Sequence, residues 1–192
     1  GRITPNPRGF GFFVPDRPIE NVSGDIYVAG SNLNQAMHGD RVVARIERVT
    51  DRGAEGRILG ILERGATATV GRFDVDDSGM GFVVPFDRRL IMDVQIPSGD
   101  QKDAKPGEMV TVEITRWPTA TRGPLGRVTE VLGDIDEPGV DTEIIIRKFG
   151  IADEHGDAAV EEARRLGDAV RERDLKGRTD FRPLVTVTID GE

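Results

Sequence analysis

The chain repeats itself, and no other property of the sequence limits its possible folds as tightly. RGFGFFVP at 8–15 returns as SGMGFVVP at 78–85, an offset of 70. DIYVAG at 25–30 is echoed by DVQIPS at 93–98, and HGDRVVARIER at 38–48 by PGEMVTVEITR at 106–116, both offset by 68. EGRILGI at 55–61 comes back as LGRVTEV at 125–131, again offset by 70. Blocks that keep their order and slip by only two residues define one folding unit used twice.

Within each block the side chains alternate. Val42, Ala44 and Ile46 are interleaved with polar or basic residues, and Val110, Val112 and Ile114 repeat the pattern. That period of two is the mark of a strand with one buried face. Turn dipeptides (GD, SG, PG, RG) stand between the blocks, and 24 glycines with 11 prolines in 192 residues suit many short strands. About five short strands per unit are too few for an open sandwich, and closing them into a barrel removes the sheet edges. The expected fold is mainly β: two tandem five-stranded OB-type barrels, 1–68 and 69–133, followed by a partly helical segment, 134–192.

The FGFF run then poses a specific question. On a strand, Phe10 and Phe12 share one face while Gly11 and Phe13 share the other. With Phe13 in the core, Phe10 and Phe12 point outward, and Tyr27 in DIYV joins them while Ile26 and Val28 face in. Three outward rings, with Arg2, Arg8 and Arg41 nearby in sequence, compose a platform on which unpaired bases can stack. Alternation alone leaves a second reading open, in which the rings pack under a loop or against the other barrel. In the second copy Met80 replaces the first ring and Gln95 replaces Tyr27, so only Phe82 remains as an outward ring.

Charge is divided unevenly. Residues 1–68 hold 9 basic and 8 acidic groups (+1), residues 69–133 hold 8 and 10 (−2), and residues 134–192 hold 9 and 16 (−7), which sum to the net −8. The acidic average therefore does not exclude a nucleic-acid partner for the first unit. There is no cysteine, so neither a disulfide framework nor a thiolate metal site is available. The two histidines, His38 and His155, are too far apart for a local metal motif, and DVDDSG (74–79) and DIDEPG (134–139) lack Ca²⁺-loop spacing and read as solvated turns. His38 reads as part of a turn before the next strand, and Trp117 either caps the second barrel or packs between domains. No apolar run approaches a membrane span and no signal peptide is visible, so a soluble cytoplasmic protein without membrane association is expected. The ends, GRITP and TIDGE, read as cut from a longer chain. Toward the C-terminus Ala159, Ala163, Leu166 and Val170 make one thin helical stripe bracketed by Gly156 and Lys176-Gly177, while Ile144-Ile145-Ile146 has strand propensity.

RGFGFFVP with DIYVAG is similar to the paired aromatic motifs of cold-shock domains, whose outward rings stack on single-stranded bases. With HGDRVVARI, GFVVP and the closing GRTDFRPLVTVTIDGE (177–192), nearly the whole chain resembles the N-terminal half of the ribonuclease R family in the ribonuclease II superfamily, up to the entry of its catalytic RNB domain. That resemblance implies a processive 3′→5′ exoribonuclease using Mg²⁺, with the barrels binding single-stranded RNA and guiding it to the catalytic channel. With the rings and nearby arginines read above, the expected RNA-binding residues are Phe10, Phe12, Tyr27, Phe82, Arg8 and Arg41, and the resemblance implies the RNB domain as a partner in cis. It matches Asp190 to the first of four metal-holding aspartates, the other three falling beyond Glu192, so this stretch alone is expected to be inactive and without a cofactor. In the family's region around Ile144 the resemblance implies helix rather than strand. Two further readings stay open: a free-standing tandem cold-shock RNA chaperone, and a protein-interaction module that docks through the exposed rings.

Overall fold

The first repeat closes on itself. In the computed structural model, which describes residues 1–192 except 51, 52, 153, 186 and 188–192, strands β1 (Arg2–Asn6), β2 (Phe10–Val14), β3 (Ile26–Ala29), β4 (Arg41–Thr50) and β5 (Gly53–Glu63) form a barrel ordered β1-β2-β3-β5-β4. The parallel pair β3–β5 and the antiparallel return of β4 to β1 complete it. Strands β6 (Ala68–Val75), β7 (Gly81–Pro85), β8 (Val94–Ile96), β9 (Met109–Arg116) and β10 (Leu125–Gly133) form a second closed barrel in the same order, again with one parallel pair, β8–β10. The expected pair of five-stranded barrels is therefore present.

Strand pairing uncovers a fifth repeated block. GRITPN at 1–6 aligns with GRFDVD at 71–76, offset by 70. A Cβ at Gly1 would collide with the carbonyl of Val14, and one at Gly71 with that of Val84, which is the same position 70 residues later. The hairpin turns that follow are equivalent too. Asn6 Oδ1 accepts the N–H of Arg8 at 3.0 Å and Asp76 Oδ1 that of Ser78 at 2.9 Å, with Gly9 (φ 85°) and Gly79 (φ 83°) taking the left-handed position. DVDDSG is thus the second barrel's hairpin turn.

Each barrel centres on one phenylalanine, placed on opposite strands of the same cross-strand pair. In the first, Ile3 of β1 faces Phe13 of β2; in the second, Phe73 of β6 faces Val83 of β7. All four are buried, so the volume lost at one position is restored at its neighbour. Gly11 belongs to this core. A Cβ there would stand 2.9 Å from Leu33, which follows the 3₁₀ turn Gly30–Asn32 and joins the buried core of the barrel. Glycine between the rings is explained by what packs inside, not by what binds outside.

The segment expected to be a linker from 134 divides in two. Helix α1 (Val140–Phe149) buries Val140 and Ile144 against Val70 and Met109, and Arg147 donates to both carboxylate oxygens of Glu130 at 2.8 and 3.2 Å. The isoleucine run is therefore helical despite its strand propensity, because Ile144 is needed on the face that covers the second barrel. One compact unit extends from Gly1 to Ile151, and a second comprises residues from Ala152 on. The latter holds α2 (Asp157–Leu166) and α3 (Glu172–Leu175), both without buried residues. Helix α2 begins after Gly156 as expected but stops at Gly167 (φ 72°), well before Lys176-Gly177 and leaving Val170 outside it.

Candidate nucleic-acid interface

Register places the rings. Phe12 lies directly opposite Tyr27 across β2–β3, and Phe10 opposite Ala29. Phe12 and Tyr27 are each 39 % exposed, Phe10 is half-buried, and Phe13, Ile26 and Val28 are buried on the other face. The three outward rings touch one another: centroids are 5.6 Å apart for Phe10–Phe12, 5.5 Å for Phe10–Tyr27 and 6.2 Å for Phe12–Tyr27. Two of these contacts are edge-on, at 86° and 72°. Edge-to-face rings support one another while leaving π-faces turned outward. No loop covers them enough to bury them, and the packed-under-a-loop reading lapses.

The basic residues are distributed less simply. Arg8 sits exposed at the β1–β2 turn, beside Phe10, with no ion-pair partner among the described residues. Arg41 is at the other end of β1, paired with Arg2 in register and held by Asp16 at 3.3 Å. The structure thus brings Arg8 to the rings and leaves Arg41 apart from them, because β1 separates the two arginines by its whole length. Arg2 likewise donates to the Gly39 carbonyl at 2.9 Å. Arg57 and Arg127, the repeated GR arginines, are exposed and ion-paired to Glu47 and Glu113.

Sequence reasoning missed the flanks of the platform. Across the barrel surface the row runs Thr4, Phe12, Tyr27, Glu55, and Glu55 is held by Arg48 at 2.8 Å. The recurrence of GR at 1–2 and 71–72 would have aligned β1 and exposed Thr4 as a neighbour of Phe12.

The second barrel presents the same rows with different chemistry. Phe82 is opposite Gln95, both half-buried, and Met80 is exposed. Among the described residues Phe82 has no ring neighbour. Beside it the turn carries Asp76 and Asp77 where the first barrel has Asn6 and Pro7. Asp76 collects hydrogen bonds from Ser78 and the Met80 N–H, which hold its carboxyl below the usual range and keep it anionic.

The junction between the barrels is built on Asp40. This fully buried carboxylate accepts from Met37 N–H, Gly65 N–H and Arg64, each at 2.8 Å. Glu108 repeats the first of these bonds by accepting from Lys105 N–H. The Arg64 guanidinium also stands 5.5 Å from the Trp117 ring centroid, so Trp117 packs against the segment joining the barrels. Asp190, the carboxylate that the resemblance assigned to Mg²⁺, lies outside the described residues. Among the described residues no three His, Asp or Glu gather as metal ligands. No helix there is long and apolar enough to cross a membrane.

Comparison with known proteins finds matches in both barrels. The family described as Ribonuclease B OB domain matches residues 1–61, and Cold shock domain matches residues 82–155. Proteins named ribonuclease R from Acidithiobacillus ferrooxidans and Escherichia coli are each 34 % identical over 100 % of the chain, which spans 43 % and 23 % of their lengths. That from Thermotoga maritima is 37 % identical over 88 % of the chain and 24 % of its own. The chain therefore spans less than half the length of these relatives. Among solved structures, Mycoplasma genitalium RNase R in complex with ribose-methylated single-stranded RNA superposes with a TM-score of 0.72 at 21 % identity, covering 92 % of this chain and 28 % of that one. Yeast Ssd1, described as a pseudonuclease, superposes with a TM-score of 0.63 at 18 % identity, covering 77 % and 24 %. At these identities the superpositions establish the fold.

Proposed function

From the premise that this chain is homologous along its length to proteins named ribonuclease R, we propose that it is the single-stranded RNA-binding part of such an exoribonuclease and that its barrels guide RNA toward a catalytic channel. One observation carries the reading: Phe10, Phe12 and Tyr27 form a mutually supported, outward ring cluster beside Arg8, which has no ion-pair partner among the described residues. Bases stack on such rings whatever their identity, because every base has a π-face. Held by β2 and β3 of a closed barrel, the rings need no ordering when RNA arrives, which lowers the entropic cost of binding.

Catalysis belongs to the same proposal as a property of a longer protein. Phosphodiester hydrolysis by Mg²⁺ requires several carboxylates converging on one point, and the described residues offer no such group. On this reading the 192-residue chain binds RNA without shortening it, in the cytoplasm, and the RNB domain is its partner in cis. Titrating the chain with a labelled single-stranded oligoribonucleotide tests the proposal. Binding on the order of micromolar at physiological salt is expected. It should weaken on Phe12→Ala or Tyr27→Ala at unchanged thermal midpoint. Undiminished binding in both variants would move the RNA site away from the rings and defeat the proposal.

A further inference from the structure

A separate cleft of about 240 Å³ opens where the two barrels and α1 meet. Its walls come from the turn before β4 (His38), the loop after β7 (Asp87 and Arg89), strand β9 (Thr111) and α1 (Arg147 and Lys148). It lies at the end of β1 away from the rings, since Gly39 N–H donates to Ile3 whereas the ring end is paired with Asn6. Three residues of strand, roughly 10 Å, separate Ile3 from Asn6.

Two features of this cleft are unexplained by packing. His38 Nδ1 and Thr111 Oγ1 are both buried and have no hydrogen-bond partner among the described residues. Native interiors seldom leave such atoms unpaired unless something else satisfies them. The second feature is charge. Arg89 grips Asp87 with two bonds, at 2.9 and 2.6 Å, and holds that carboxyl far below its usual range. Lys148 Nζ approaches the same carboxylate at 3.7 Å and lies 5.6 Å from the Phe86 ring centroid. One carboxylate thus serves two cations. Arg147 is engaged by two carboxylates, Glu130 and Glu143, at 2.8 and 3.3 Å, so these three cations and three carboxylates balance, and Lys148, held only at 3.7 Å, is the most loosely paired of the cations. Burial lowers the His38 pKa, with Arg89 acting in the same direction against Asp87 and Asp40, so the imidazole is neutral at pH 7 and offers one N–H.

We propose that this cleft binds a single phosphate group, held by the loosely paired Lys148 and by donors from Thr111 Oγ1, His38 and the open edge of Arg89. These groups come from four separate elements: the turn before β4, the loop after β7, β9 and α1. The phosphate is either free or a phosphodiester of an RNA strand that also crosses the rings. Only the second source rests on the proposed function.

The two histidines make the test internal, because His155 lies in the separate C-terminal unit. Ring resonances of both are followed by NMR in the full chain as inorganic phosphate is added at constant ionic strength. Saturable movement of His38, with His155 following bulk salt only, is expected. Lys148→Gln should weaken it about tenfold, and Thr111→Val should weaken it with the fold intact by its own spectrum. Parallel movement of the two histidines, or an unaltered His38 response in both variants, overturns the proposal. A ten-nucleotide single-stranded RNA that displaces phosphate identifies the backbone as the source, and failure to displace it identifies free phosphate. Phe12→Ala should leave the inorganic phosphate response unchanged, which separates loss of the ring site from loss of this one.

Discussion

The two barrels share strand order, hairpin turn and core scheme, and they part company on one outward face. In the first, that face carries Phe10, Phe12 and Tyr27 in mutual contact, next to a turn with Asn6 and Arg8. In the second, the equivalent positions hold Met80, Phe82 and Gln95, next to a turn with Asp76 and Asp77. Inward positions have been exchanged within the limits of volume, as Ile3 and Phe13 against Phe73 and Val83 show. Duplicated barrels keep what holds them closed and are free to change what they display. The second has instead acquired a tertiary task on another surface, where Val70 and Met109 receive α1.

The largest effects should come from the shared core. Phe13→Ala and Phe73→Ala should each destabilise their own barrel by about 3–5 kcal/mol, because both rings are buried and neither site can collapse fully. Denaturant unfolding followed by Tyr27 and Trp117, one reporter per barrel, checks this. An unchanged midpoint for Phe73→Ala would break the equivalence of Phe73 and Phe13. Next come the rings. Phe12→Ala and Tyr27→Ala should cost about 1–3 kcal/mol of RNA affinity each. Phe82→Ala should cost less, and equal losses in oligonucleotide titrations would erase the distinction between the faces.

Transfer of the platform is a smaller and sharper test. Met80→Phe with Gln95→Tyr in a Phe12→Ala background should restore RNA affinity by roughly 1 kcal/mol. The neighbouring Asp76 and Asp77 oppose phosphate and should hold the gain below that of the native rings. Complete recovery would show that turn charge is irrelevant. The smallest effect belongs to Arg8→Ser, which gives the first turn the residue of the second. The slope of log affinity against log salt should fall by about 0.7, one phosphate contact on a single strand. An unchanged slope would detach Arg8 from the bound strand.

The duplicated unit, the strand alternation and the faces of Phe10, Phe12, Phe13 and Tyr27 are legible in the chain before it folds. Each is a local property: side chains on a strand alternate with period two, and two copies of a pattern identify the unit without knowledge of its surroundings. Tertiary structure alone decided the rest. Leu33 fills the space over Gly11, Arg41 is drawn to Asp16 instead of the rings, the isoleucine run is helical, and orphaned His38 and Thr111 meet in one cleft. These facts depend on residues brought together by barrel closure and by the docking of α1 across long separations in the chain. Local periodicity states which way a side chain points; it carries no information about what waits there, because that neighbour is supplied by a distant segment whose position is set by the closed backbone ladder.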